Sequence, residues 1–432
     1  MTEGLNMYKE EIYDFIQELS NQIIDVNSFE KKMTSCLSWK KFFIYSGYPE
    51  IVLYLTQSKD LIENINFIDA LKYYIKQFKK NIQHSQLYLN NNAGILSGYC
   101  GIGYMLLELD KIGVKVDKIL NSLNEKIYIV LKRKLKRVRK HLEDGKVCYE
   151  DYDSLDGLSS SLRYLIEFKE KDEFRLLIND IVNYFISLTT NNKDNYPNYY
   201  IKTDRLDELR KIRNPHGIID YGMAHGMSGV LSSLSLVKIA GLEVNGIEEC
   251  IKNLLHKIGK TVKHINGINY WPGIVKIDDY LNNTINEYNI NDYGWCYGVA
   301  GTARAIFLGG QACGELEYIN LAKETFNQIS LNIEKIDLTT YIICHGYSGL
   351  LVILNEMYID TSSKLLQKAA DVIASKTLKW LKSIDILSEM DRLESKGECS
   401  IDIWEGIIGI ALALISYEDN KKNIISKLML VR

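Results

Sequence analysis

Two short segments carry residues suited to holding a metal: 294–301, which reads GWCYGVAG, and 343–346, which reads ICHG. Cys296, Cys344 and His345 would supply two thiolates and one imidazole, donors that zinc favours, and three protein ligands leave a fourth position for water or a substrate. Adjacent Cys344 and His345 cannot share one face of a regular helix. Their backbone must bend, and Gly346 directly after them permits it. Cys296 has to arrive from another loop, so the rest of the chain must explain how the two segments meet.

A repeat supplies that explanation. Seven phrases share one form, a polar or aromatic residue, Gly, two residues, usually a second small residue, then an apolar run. They read SGYPEIVLYL at Ser46, SGYCGIGYML at Ser97, DGLSSSLRYL at Asp156, HGMSGVLSSL at His225, YGVAGTARAI at Tyr297, HGYSGLLVIL at His345 and EGIIGIALAL at Glu405. The leading glycines stand roughly fifty to seventy residues apart, a period that two helices and their connections occupy. Each phrase is expected to open an apolar helix at its N-terminus, where glycine lets backbones approach closely. The first and third phrases carry Glu50 and Ser160 in place of the second glycine, losses expected to be tolerated because neither repeat bears a zinc ligand. Between the phrases, residues 8–26, 247–265, 321–336 and 365–384 place apolar residues at helical spacing on one face only.

An apolar and an amphipathic set in alternation predict an all-α fold of two concentric helical rings. If the rings close, all seven Gly-led loops lie at one end, and Cys296, Cys344 and His345 converge there. His225, directly before Gly226, shares that phase, as does Asp156 before Gly157, with Asp153 three residues earlier. Asp156 reads as an N-terminal cap; Asp153 is either a cap or a site residue. Residues 188–221 and 267–291, rich in Asn, Asp and Tyr and holding three of the four prolines, are expected to be irregular or short-strand insertions in a single domain spanning 1–432.

With 52 Lys and Arg against 55 Asp and Glu, the chain has no global basic footprint, so nucleic acid is not an expected partner. The run KRKLKRVRKH at 132–141 is a local exception, either a solvated helix face or a docking surface for an acidic peptide or membrane. Eight cysteines without dense even spacing do not form a disulfide framework. Cys36, Cys100, Cys148, Cys250, Cys313 and Cys399 read as core or surface thiols. With no apolar signal segment at the N-terminus and no long apolar run, a cytoplasmic protein is expected.

HGMSG, WCYGVAG and CHGYSG, in this order and at these separations, resemble the motifs of the LanC-type lanthipeptide cyclases, and the resemblance extends through all seven repeats. It implies an α/α toroid of seven inner and seven outer helices, one zinc ion, and thioether ring formation in a dehydrated precursor peptide. It also implies a separate dehydratase and a membrane exporter as partners, which would place the protein in the cytoplasm or at the inner face of the membrane. Position by position, Cys296, Cys344 and His345 match the zinc ligands, His225 the acid/base histidine, and Asp153 and Tyr297 its companions. One departure is Asp292, where the family often has arginine. Arg213 or another cation would have to replace that guanidinium.

The implied chemistry follows. A peptide thiol accepted at the open position would lose its proton near neutral pH and add to the β-carbon of dehydroalanine or dehydrobutyrine. His225 would protonate the α-carbon, Asp153 would favour its imidazolium form, and the Tyr297 hydroxyl would steady the enolate oxygen. His216, in a proline-bearing loop, is either an auxiliary of the site or a surface residue. Rival readings are a LanC-like protein adding glutathione to dehydrated residues and a non-catalytic zinc toroid that binds peptide. A glycosidase would need paired carboxylates where this pattern converges sulfur and imidazole.

Overall fold

Glycine opens each of seven apolar helices in the computed structural model, which describes residues 8–35, 41–84, 92–192, 196–386, 388 and 401–432. These helices are Tyr48–Ser58, Tyr99–Lys111, Leu158–Leu165, Met227–Ile239, Val299–Cys313, Tyr347–Thr361 and Ile407–Glu418. They are buried along almost their whole lengths, as helices apolar all round must be. Their N-cap glycines have extended backbones, so left-handed geometry is not the reason for glycine. The loop before each helix folds back onto it. A Cβ on Gly226 would stand 2.3 Å from Asp220 Oδ1, and one on Gly298 would stand 2.3 Å from the backbone nitrogen of Gly294.

Seven amphipathic helices alternate with these among the described residues: Lys9–Ile24, Phe67–His84, Asp117–Glu143, Asp172–Leu188, Ile247–Gly259, Leu316–Leu331 and Lys364–Ser383. The helix expected over 247–265 stops at Gly259. Residues beyond it turn into a hairpin, Lys263–Ile265 against Ile268–Tyr270. Asn266 and Gly267 at its tip have φ of 52° and 84°, the two positive values a tight type I′ turn demands. Cys36 and Cys399 lie outside the described residues.

The chain divides into two compact units. The first comprises Met1–Asn92, Leu96–Asn124 and Leu338–Ser426. Within it Tyr48–Ser58 packs on Tyr99–Lys111, Phe67–His84 and Ile407–Glu418, and Tyr347–Thr361 packs on Lys364–Ser383 and Ile407–Glu418. Glu50, in place of the second glycine of the first repeat, is fully buried and accepts the Gly47 N–H at 2.9 Å. Its Oε2 and the Oδ2 of buried Asp402 have no hydrogen-bond partner among the described residues. Burial, then the charge of Asp402, raises the Glu50 carboxyl well above its usual range, and burial pushes Asp402 up to about 7.

A carboxyl raised in the folded state stabilises fully below its unfolded pKa of about 4, and that contribution is lost as pH rises through about 7. Asp402→Asn keeps Oδ1 as acceptor for the Trp404 and Glu405 N–H groups. The variant is therefore expected to gain about 2–3 kcal/mol over the native protein between pH 5 and pH 8. Denaturant unfolding at the two pH values measures this, and a pH-independent difference would contradict it.

The second unit comprises Ala93–Ile95, Glu125–Asp337 and Lys427–Arg432. Met227–Ile239 packs on Leu158–Leu165, Ile247–Gly259 and Val299–Cys313, and the last of these packs on Leu316–Leu331. The C-terminal strand of chain is threaded among them by its carbonyls. Trp295 Nε1 donates to Met429 O at 2.9 Å, Arg304 Nε to Val431 O at 2.9 Å, and Arg163 Nε to Arg432 O at 2.7 Å. The two predicted insertions meet as a two-stranded sheet, Ile218–Asp220 antiparallel to Ile274–Lys276, with Asp220 opposite Ile274. That strand sets the position of Asp220.

The basic run at 132–141 lies within Asp117–Glu143 and is not a uniform charged face. Lys134 is buried and donates to the Asp156 carbonyl, while Lys132 and Arg139 both pair with Asp180. Arg133, Lys136 and Arg137 remain exposed.

Candidate functional site

Backbone hydrogen bonds join the Gly-led loops of neighbouring repeats. In the second unit Ile95 N donates to Leu155 O at 2.8 Å, Ser154 N to Ala224 O at 2.9 Å, and Met223 N to Cys296 O at 2.7 Å. In the first unit Cys344 N donates to Trp404 O at 3.0 Å. Loops that are distant in sequence thus become neighbours at one residue phase.

Asp153 ends the short helix Tyr149–Tyr152 in an extended conformation. Its Oδ1 accepts the N–H groups of Leu155, Asp156 and Gly157 at 3.2, 2.8 and 2.6 Å. This corrects the reading of Asp156 as the cap. Gly157 is the N-cap without a side-chain bond, and the Asp153 carboxylate takes the loop donors instead. Oδ2 of Asp153 then stands 2.9 Å from His225 Nδ1. With Nδ1 engaged by a carboxylate, Nε2 is the nitrogen left to carry a mobile proton. Burial pulls the His225 pKa down, but the hydrogen bond and charge of Asp153 and the charge of Asp220 outweigh it, so the pKa lies above the usual histidine value.

Asp220 went unnoticed in the residue pattern. It is fully buried, its Oδ1 accepts the Gly222 N–H at 2.8 Å, and its Oδ2 accepts the Tyr297 hydroxyl at 2.9 Å. Burial pushes its carboxyl up to about 6, with the His225 charge the largest opposing influence. The Tyr297 ring lies so close to Gly222 that a Cβ there would come within 2.6 Å of it. Burial and the Asp220 charge raise the Tyr297 hydroxyl far above its usual range, so it is a fixed donor to Asp220. A sequence signal for Asp220 did exist: it precedes Gly226 by the interval that separates Asp292 from Gly298. Asp292 has the same task, accepting the Gly294 N–H at 3.0 Å.

The rings around His225 complete the group. Tyr149 meets it edge-on at 5.7 Å between centroids, and Tyr297 lies at 6.4 Å. Arg210, from the short helix Glu208–Arg213, lies 5.1 Å above the Tyr149 ring. Arg213 is exposed, and His216 is an exposed residue paired with Asp278 at 2.6 Å.

Cys296 lies in the second unit, and the adjacent pair Cys344 and His345 lies in the first. Two thiolates and one imidazole fit zinc by donor type. The metal-binding atoms of His141, Cys148 and Asp151 group within 4.8 Å. There, however, His141 Nδ1 is 2.9 Å from both Asp151 oxygens, and burial pushes the Cys148 thiol up to about 12. That set is satisfied as a hydrogen-bonded structural cluster. Among the described residues no helix is long and apolar enough to cross a membrane.

The chain is similar to known proteins over most of its length. The solved structure of nisin cyclase matches with a TM-score of 0.79 at 22% identity, over 96% of this chain and 98% of that one, so the fold is the all-α toroid class. Nisin biosynthesis protein NisC of Lactococcus lactis subsp. lactis is 25% identical over 380 residues, 86% of this chain and 84% of that protein. The family model described as lanthionine synthetase C-like protein matches residues 38–430. Gly-led helices, laddered loops and a match over nearly the full length therefore establish that the chain belongs to the lanthionine synthetase C-like family.

Proposed function

We propose that this protein is a lanthipeptide cyclase, closing thioether rings by adding cysteine thiols of a dehydrated precursor peptide to dehydroalanine or dehydrobutyrine in the same peptide. The observation that carries the reading is the hydrogen bond between Asp153 and His225, a histidine whose pKa lies above its ordinary value, in a chain whose curated relative is named for nisin biosynthesis. Cys296, Cys344 and His345 would hold one zinc ion, which supplies acidification of a substrate thiol.

The peptide thiolate attacks the β-carbon, a C–S bond forms, and the double-bond electrons move toward the carbonyl oxygen. His225 Nε2–H then delivers a proton to the α-carbon, and Asp153 stabilises the imidazolium that donates it. Tyr297 holds Asp220 through its hydroxyl, so its contribution is to the position of that carboxylate and of the His225 ring. A separate dehydratase would prepare the substrate, and an exporter would remove the product.

Ring closure changes no mass but consumes thiols. A dehydrated candidate peptide incubated with the protein should lose one alkylatable thiol per ring, counted by mass spectrometry. Retention of every thiol with zinc-loaded protein would refute the reading. Added glutathione should not appear on the product.

A further inference from the structure

The cluster around His225 contains two carboxylates, Asp153 and Asp220, and two phenols, Tyr149 and Tyr297. An addition that places negative charge on a carbonyl oxygen next to such a set needs a fixed positive charge or donor. Asp292, four residues before Cys296, is itself acidic and is spent on the Gly294 N–H. A positive charge that acts on this cluster is that of Arg210, in the insertion.

Arg210 is placed for this by three local interactions. Asp207 caps its helix, accepting the Arg210 N–H at 2.9 Å, and also pairs with the guanidinium at 3.3 Å. The guanidinium lies 5.1 Å over the Tyr149 ring, whose edge in turn abuts His225. Its side chain is 37% exposed, so it is restrained by these contacts and still partly accessible. Its charge also acts on Asp220, His225 and Tyr297.

We propose that Arg210 binds the carbonyl oxygen of the α,β-unsaturated acceptor residue and carries the negative charge that builds there during thiol addition. The assignment rests on the cyclase reading. A planar guanidinium suits it because two parallel N–H donors can meet one oxygen region while the stacked tyrosine fixes their plane. The charge must be present before the proton arrives, since the enolate oxygen forms when the C–S bond does. Arg210 thus acts ahead of His225, and the two are separate contributions to one addition.

The test uses the full-length zinc-loaded protein and a dehydrated peptide in single-turnover cyclisation, with Arg210→Met and Arg210→Lys beside the native chain. Arg210→Met should lose roughly 10²–10³-fold in the rate of ring closure, with little change in the peptide concentration giving half the maximal rate. Arg210→Lys should recover part of the loss, keeping the charge without the fork. Zinc content and unfolding midpoint should match the native protein. In parallel, NMR titration of His225 should show its pKa rising in Arg210→Met. The groups facing His225 are Asp153, Asp220, Tyr149, Tyr297 and Arg210, and only Arg210 among them opposes protonation by its positive charge. A native rate in Arg210→Met, or a loss matched by lost zinc or lost folding, would overturn the assignment. If the native protein closes no rings, the cyclase reading itself fails and takes this assignment with it. A native protein that closes rings alongside an unimpaired variant sinks the Arg210 assignment alone.

Discussion

Replacing His225 by Asn is expected to leave about one zinc per chain in place and to slow ring closure by roughly 10²–10⁴-fold, the usual contribution of a positioned general acid. Asn occupies similar space and can still meet Asp153 through its amide, so the three N–H bonds that hold the Asp153 loop should persist. What disappears is the proton on Nε2. The pH profile should change with it. In the native protein the rate constant for protonation depends on imidazolium, so it should fall as pH rises through the His225 pKa, which lies above the usual histidine value. In His225→Asn that alkaline limb should vanish. Zinc analysis, intact-mass thiol counting and a rate profile across pH 5 to 9 read these outcomes. A variant that closes rings at the native rate would remove His225 from the chemistry.

Cys296→Ala is expected to behave differently, losing metal and ring closure together. Two remaining ligands, Cys344 and His345, bind zinc far more weakly than three, so elemental analysis should fall from about one zinc per chain toward zero and cyclisation toward the uncatalysed background. The fold should survive. The loop bonds made at Cys296 come from its backbone carbonyl, which accepts from Met223 and Ala224 and is unchanged by the substitution. Far-UV circular dichroism and the unfolding midpoint provide that control. Retention of stoichiometric zinc by the alanine variant would show that the ion sits elsewhere, with the His141, Cys148 and Asp151 group the next place to look.

The contrast between the two variants separates holding from doing. Loss of rate with zinc retained belongs to a proton donor. Loss of both belongs to a ligand.

The repeat was readable without coordinates because its signals are local. A helix apolar all round needs only nearest-neighbour spacing to be seen, and each leading glycine marks a place where the preceding loop folds back within a few residues, as at Gly226 and Gly298. The motifs drew attention to His225, Asp153 and Tyr297, and the structure shows Asp153 bonded to His225 and Tyr297 to Asp220. Asp220 was missed: IIDYG reads as an ordinary strand end, and its one signal, the interval to Gly226 shared by Asp292 and Gly298, says nothing of its partner. Its importance comes from a partner at Tyr297, far along the chain. Arg210 was hidden for the same reason. The sequence reading named Arg213 or another cation, and the helix Glu208–Arg213 turns Arg210 toward Tyr149 and leaves Arg213 in solvent.

The amino-acid order alone therefore determined the seven apolar helices and their alternation with amphipathic ones, the phase of the Gly-led loops and the donor types available for a metal, since hydrophobic period, backbone sterics and ligand chemistry are properties of short segments. Tertiary structure alone decided which oxygen of Asp153 meets His225, that Tyr297 spends its hydroxyl on Asp220, and that Arg210 of the insertion lies over the Tyr149 ring beside His225. Those choices depend on burial and on partners distant in the chain. A carboxylate's pKa and a phenol's hydrogen bond exist only once folding has removed water from both.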